Sequence, residues 1–294
     1  MYIYINGQYA KKDDVRISPF DHGFLYGLGV FETFRIYNGH PFLMDDHLER
    51  LNSGLQILNI KAAFTREEVM GILNGLLAKN RLNHAYIRLN VSAGNGEIGL
   101  QTDSYTAPNL IVFSKPLPAP SRMGEKQAVL LELKRNTPEG AARLKSHHYL
   151  NNVLAKREIG SASDTEGVFL TKDGFLSEGI VSNIFWYKNG TLFTPDVDTG
   201  ILDGITRRFI IMLARKAGLE VREGFFKLVE AEAAEEIFFT NSIQEIVPVT
   251  TFCGKNYPGK EGQLVKALHR HYEAHRETLW STYQLDGGQM HDEE

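Results

Sequence analysis

The chain of 294 residues contains one cysteine, Cys253. That excludes an intramolecular disulfide and fits a reducing compartment. No motif around Cys253 marks it as a nucleophile. Long hydrophobic runs are also missing, and none approaches the ~20 apolar residues of a membrane-crossing helix. No run of like charge forms a polyanion-binding tail, and a formal net charge of −4 argues against a nucleic-acid partner. The opening Tyr2-Ile3-Tyr4-Ile5-Asn6-Gly7 reads as a strand entering a turn, with no basic segment ahead of an apolar one. No signal peptide is expected. A cytoplasmic enzyme is the default expectation. With 43% hydrophobic residues the chain can bury a sizeable core, at a length where one core tends to split into two.

The first third alternates short strands with two helices. Leu48, Leu51, Leu55 and Leu58 recur at helical spacing behind Asp45 and Asp46, which read as N-caps. Thr65-Arg66-Glu67-Glu68 is a capping box, followed by a stripe of Val69, Ile72, Leu73, Leu76 and Leu77. Ile87, Leu89 and Val91 alternate as a strand, and Leu110–Phe113 form another. Pro116, Pro118 and Pro120 then exclude a helix or a central strand. The expected division is a small N-terminal domain at 1–115, a linker at 116–121 and a larger C-terminal domain at 122–294. In the latter, strands are expected at 129–133, 168–171, 183–187, 238–240 and 246–250. Helices are expected at 149–159, at 206–216 with Gly218 as its C′ residue, and at about 262–280. The last ten residues are polar and expected to fray. The fold class is α/β or α+β in two domains.

Two tempting motifs carry no chemistry. Gly94-Asn95-Gly96-Glu97-Ile98-Gly99 follows a strand, but residues 101–108 have a loop composition. A dinucleotide site needs a helix there, so the glycines read as a turn. His147-His148 and the pair His269 and His271 have no cysteine or carboxylate at ligand spacing, so no metal is expected.

Three segments of the second half stand out together. Lys145, in Arg143-Leu144-Lys145-Ser146-His147-His148, lies between a strand and a helix in unusually polar company. Alone it reads as a solvated lysine. Glu178 precedes small and apolar residues, Gly179-Ile180-Val181-Ser182-Asn183, that read as buried strand. A buried carboxylate is costly unless paired, although a glutamate at a turn is an equally good reading. Gly200–Arg208 is a glycine turn running into a helix whose free amides and Thr206 hydroxyl suit an anion. Thr240-Asn241-Ser242, at a strand end, adds further donors. An anchored aldehyde, a partner for a pyridine nitrogen and a phosphate cradle are what pyridoxal 5′-phosphate requires.

From Glu178 to Arg207 the chain resembles the class IV aminotransferase signature. Glu178-x-Ile180-x-x-Asn183-Ile184-Phe185 leads to Leu192-x-Thr194 and then to Leu202-x-Gly204-Ile205-x-Arg207. The likeness extends from Asn6-Gly7 to Thr240-Asn241-Ser242 and is to the fold-type IV pyridoxal-phosphate enzymes, which are D-amino acid aminotransferase-like. It implies that Lys145 is the Schiff-base lysine and general acid/base, and that Glu178 pairs with the pyridine nitrogen. It implies that Arg50, otherwise a solvated helix arginine, binds the phosphate. Thr206, the Ile205 amide, Asn241 and Ser242 supply the remaining phosphate donors, and Leu202 packs on the ring. A homodimer is also implied.

Within the family, residues 18–33 and 145–152 are most similar to the bacillus-type aminodeoxychorismate lyases. The Arg-x-His carboxylate trap of D-amino acid aminotransferase is absent where this chain has Val91-Ser92-Ala93-Gly94, and its tyrosine before Glu32 is Phe31 here. The expected reaction converts 4-amino-4-deoxychorismate to 4-aminobenzoate and pyruvate. Phe31, Arg88 and His147 are the substrate-side candidates, Arg88 on the strand face opposite Ile87 and Leu89. The rivals are an aminotransferase for a D- or branched-chain amino acid, and a non-catalytic pyridoxal-phosphate-binding protein. The latter is disfavoured by the intact set of Lys145, Glu178 and Arg50.

Overall fold

Tyr2–Ile5 (β1) turns back at Asn6-Gly7 into Gln8–Lys11 (β2). Both turn residues have positive φ, 43° and 92°, and the Asn-Gly pair tolerates that conformation in a two-residue hairpin. The computed structural model describes residues 1–119 and 123–286. Pro120 and Ser121 of the expected linker, and most of the expected frayed terminus, lie outside the described residues.

The chain divides into two compact units. The first comprises Met1–Pro120, Leu144–His148 and Arg276–Gln284. Its elements continue with His22–Tyr26 (α1), Gly29–Tyr37 (β3), His40–Pro41 (β4), Met44–Ile57 (α2), Arg66–Asn80 (α3), Ala85–Ser92 (β5) and Asn109–Pro116 (β6). The sheet runs β2-β1-β6-β5-β3-β4 and is antiparallel throughout. Val30, Phe34 and Ile36 of β3, with Ile87, Leu89 and Val91 of β5, form one core with Leu48, Leu51 and Leu55 of α2 and Val69, Leu73 and Leu76 of α3. Strand alternation and helical spacing are thus answered by one apolar layer.

Thr65 caps α3 reciprocally with Glu68, as its sequence requires. The start of α2 differs from expectation. Leu43, in the left-handed region at φ 55°, is its N-cap, and Asp45 and Asp46 lie inside the first turn. There the helix dipole favours a carboxylate. Asp46 instead accepts from the Thr282 amide at 2.9 Å and from its hydroxyl at 2.6 Å.

The second unit comprises Ser121–Arg143, Tyr149–His275 and Leu285–Glu294. Its strands are Lys126–Leu130 (β7), Thr165–Leu170 (β8), Leu176–Gly179 (β9), Asn183–Lys188 (β10), Thr191–Pro195 (β11), Glu220–Gly224 (β12), Glu236–Asn241 (β13), Glu245–Phe252 (β14) and Lys255–Asn256 (β15). They form a mixed sheet ordered β12-β11-β10-β13-β14-β7-β8-β9, with β15 on β14. Leu150–Glu158 (α4), Ile205–Lys216 (α5), Leu228–Glu232 (α6) and Gln263–His275 (α7) accompany it. Phe209 of α5 meets Tyr272 of α7 edge to face at 5.4 Å, and Trp186, Ile237, Phe239 and Val247 lie in the sheet core. The two-layer mixture of helix and sheet agrees with the expected α/β class.

Two segments assigned by sequence to the second domain belong to the first unit. The helix expected to reach about residue 280 ends at His275. Beyond it the Leu279 and Trp280 carbonyls accept from the Leu43 and Asp45 amides at 3.1 and 3.0 Å. Residues 144–148 are drawn in by backbone pairing with β3. The expected first strand of the second unit lies earlier, at β7 rather than 129–133.

Candidate active site

The upstream half of β3 has an open edge, and the chain around Lys145 closes it. Phe31 donates its amide to the Lys145 carbonyl at 2.9 Å, and the His147 amide donates to Gly29 at 3.0 Å. Val30 and Ser146 form an antiparallel bridge between them. Alternation along a strand then sends Lys145 and His147 to the face of Phe31, opposite the core. Gly29 is needed here, because a Cβ would overlap the His147 ring.

Register completes this face. Phe31 stands opposite Asn90 of β5, and Thr33 opposite Arg88. The Arg88 guanidinium lies 3.6 Å above the Phe31 ring and Lys145 Nζ lies 4.8 Å from it, while the His147 ring stacks at 6.3 Å. Burial, then the Arg88 charge, pushes the His147 pKa down to about 4. At neutral pH the imidazole is uncharged, so of the two groups the permanent cation beside Phe31 is Arg88. The structure therefore brings Lys145, His147, Phe31 and Arg88 together within one unit.

Arg50 lies elsewhere in that unit. Glu32 alternates with Phe31 and faces α2, where Arg50 donates from Nε at 2.7 Å and from a terminal nitrogen at 2.8 Å to its two oxygens. His47 Nδ1 is 2.7 Å from the same carboxylate. Burial opposes the charge on Glu32, but Arg50 and His47 outweigh it and hold the carboxyl well below its usual range. Burial likewise pushes His47 below its ordinary value, against the pull of Glu32. A neutral His47 donating to a carboxylate balanced by Arg50 satisfies both directions.

In the second unit Glu178, 4% exposed, is the next-to-last residue of β9. Arg135 Nε donates to one oxygen at 2.8 Å and the Leu202 amide to the other at 3.0 Å. Arg135 is held in turn by Asn151 at 2.7 Å and Asn152 at 3.3 Å. Arg143 Nε stands 3.8 Å from Glu178, its pKa pushed down to about 10 by burial and then by Arg135. The pairing that a buried carboxylate demands is thus met by an arginine that sequence reasoning did not single out.

Helix α5 begins at Gly204, whose side of the turn offers no side-chain cap. A Cβ at Gly204 would overlap Asn183, which donates to the Leu202 carbonyl at 2.9 Å. The Thr206 and Ser242 hydroxyls lie 3.3 Å apart beside this helix start. Two hydroxyls and the Ile205 and Thr206 amides make a donor set suited to a phosphate. Asn241 is not part of it through its side chain. Its Oδ1 accepts from the Ile243 and Gln244 amides at 3.0 and 2.7 Å, building its own turn.

Residues 94–108 contain no helix, and a Cβ at Gly94 would overlap the Ala107 backbone. That glycine serves a close chain crossing. Asn90, Glu32 and His47 also went unread in the sequence. A charged residue inside Val30-Phe31-Glu32-Thr33-Phe34 was the available signal for Glu32, and the i, i+2 relation to Arg88 was the signal for Asn90.

The profile of the family described as amino-transferase class IV matches residues 29–252. The chain is 47% identical over 273 residues to the aminodeoxychorismate lyase of Bacillus subtilis, covering 92% of this chain and 93% of the relative. It is 38% identical over 284 residues to a provisionally named branched-chain-amino-acid aminotransferase of Methanocaldococcus jannaschii, covering 95% and 98%. The crystal structure of the Escherichia coli branched-chain amino acid aminotransferase superposes with a TM-score of 0.83 at 28% identity, covering 95% of this chain and 96% of that one.

Proposed function

The chain belongs to the class IV aminotransferase family, whose enzymes depend on pyridoxal 5′-phosphate, and we propose that it is a lyase converting 4-amino-4-deoxychorismate to 4-aminobenzoate and pyruvate. The observation that carries this reading is its likeness, over nearly the whole of both chains, to a lyase of that name. The Lys145 face supports it, since Arg88 places a cation beside the lysine where a carboxylate-bearing substrate needs one.

Lys145 Nζ carries the cofactor. Bound pyridoxal phosphate supplies an electron sink conjugated to the substrate's amine. With the substrate's amine at the cofactor, the Lys145 amine would take the proton from the amine-bearing ring carbon. The C–O bond to the enolpyruvyl group then breaks, and a proton delivered to its methylene carbon yields pyruvate. Glu178, held in place by Arg135 and the Leu202 amide, would accept from the pyridine nitrogen. In the second unit Thr206, Ser242, the Ile205 amide and Asn241 through its backbone would hold the phosphate, and Leu202 would pack on the ring; Arg50, in the first unit, is the phosphate ligand that the family resemblance implies. Arg88 receives a carboxylate, with Phe31 and His147 flanking it.

Purified protein given aminodeoxychorismate should release pyruvate and 4-aminobenzoate in equal amounts. Amino transfer from D-alanine or a branched-chain amino acid to 2-oxoglutarate should be much slower. Faster transamination with no pyruvate released would replace the lyase reading with that of an aminotransferase. We also infer a cytoplasmic homodimer, as the family implies, which sedimentation velocity tests. No described helix is long and apolar enough to cross a membrane.

A further inference from the structure

We propose that Asn90 is a positioning residue that aims Arg88 at a carboxylate of the substrate and thereby sets specificity for a carboxylate-bearing ligand. The inference rests on the lyase reading for the identity of the substrate, but not for the anion site itself. Asn90 is two residues from Arg88 on β5, on the same face, and directly opposite Phe31. Its Oδ1 lies 3.3 Å from Arg88 Nε and 3.1 Å from His147 Nε2.

The chemistry of the three groups fixes their roles. An arginine can only donate, so the atom facing it is the amide oxygen. The same oxygen then requires the proton of His147 to sit on Nε2. One acceptor thus orients two side chains. The guanidinium is held at its Nε by Asn90, and its carbon lies 3.6 Å from the centre of the Phe31 ring. These two contacts restrict where the guanidinium can point. Among the described residues, the two terminal nitrogens of Arg88 and the Asn90 Nδ2 make no other hydrogen bond. A fork of terminal nitrogens matches a carboxylate bidentately. Lys145 Nζ, on that face 4.8 Å from Phe31, is where the substrate's amine reacts. A ligand with its amine at Lys145 and a carboxylate at Arg88 is the class this arrangement selects.

The experiment is a double-mutant cycle on the holoenzyme with chorismate, which carries both carboxylates and a hydroxyl in place of the amine. Binding is measured by calorimetry, and KM and kcat for aminodeoxychorismate are measured alongside. N90A and R88A should each weaken chorismate binding by roughly tenfold, the effect of losing a charge-assisted hydrogen bond. The double variant should be no weaker than R88A, because Asn90 acts through Arg88. KM should rise as binding falls, with kcat and the cofactor absorption band unchanged. N90D keeps the shape and the acceptor but puts a negative charge against the anion, so it should bind at least as poorly as N90A. Rescue by N90D, additive losses in the cycle, or a wild type that does not bind chorismate would overturn the proposal. A coupled loss of chorismate binding in a protein without lyase turnover would uphold the anion site and reject the lyase reading.

Discussion

Arg135 and Glu178 lie 43 positions apart in the chain, yet the arginine Nε donates to the glutamate at 2.8 Å with both side chains almost fully buried. Such a pair is strongly asymmetric. Removing one partner leaves an uncompensated buried charge, at a cost of roughly 3–5 kcal/mol. Arg135→Leu should therefore lower the urea midpoint sharply. Glu178→Gln should lower it comparably, because its amide oxygen keeps the hydrogen bond but leaves the buried Arg135 charge uncompensated, with Arg143 3.8 Å from the same position. Equal midpoints for Arg135→Leu and wild type would mean that the pair contributes nothing.

Lys145 is expected to hold the cofactor covalently. Borohydride reduction of the yellow protein should fix the label to the peptide containing Lys145, and Lys145→Ala should abolish both labelling and nearly all turnover. Mass spectrometry of the digest decides the matter, and label on a different lysine refutes the assignment.

The Glu32–Arg50 pair separates a phosphate role from a structural one. If Arg50 serves the phosphate, Arg50→Ala should weaken pyridoxal phosphate binding by roughly 1.5–3 kcal/mol. Glu32→Ala should weaken it less, by loosening the arginine. Glu178→Gln should instead reduce turnover more than affinity. If cofactor affinity is unmoved by both changes at the first site, Arg50 belongs to the packing of α2 on β3 alone.

The depressed pKa of His147 has a consequence for stability. The imidazole titrates near 4 in the folded protein and near 6.5 when unfolded, so the unfolded state binds the extra proton between those values. Stability contributed by the neutral ring is fully present above about pH 6.5 and is lost as the pH falls towards 4. Urea midpoints measured across this window should fall more steeply for wild type than for His147→Gln. Parallel slopes would show that the ring is not held neutral by burial and Arg88.

Local rules made much of the fold legible. The capping box at Thr65, the period-two pattern of Ile87, Leu89 and Val91, and the glycine turn before α5 each act within a few residues, where backbone sterics and side-chain spacing decide the outcome. The helix expected to reach about residue 280 failed for a nonlocal reason. By spacing, Leu279 would extend the stripe of Val265, Leu268 and Tyr272, but the Leu279 and Trp280 carbonyls accept from the Leu43 and Asp45 amides instead.

The candidate site divides along the same line. Chemical type was readable from the chain: a lysine in polar company, a carboxylate ahead of a buried strand and a glycine-led helix start. What each group faces was decided by tertiary structure alone. Lys145 meets Phe31 because residues 145–147 pair with the open edge of β3, and Glu178 meets Arg135 because β9 ends beside the segment after β7. Arg50 meets Glu32 because α2 packs on the strand face opposite Lys145. Hydrogen-bond partners separated by tens to hundreds of residues carry no periodicity, so a sequence can supply the groups but only the folded chain determines their pairing.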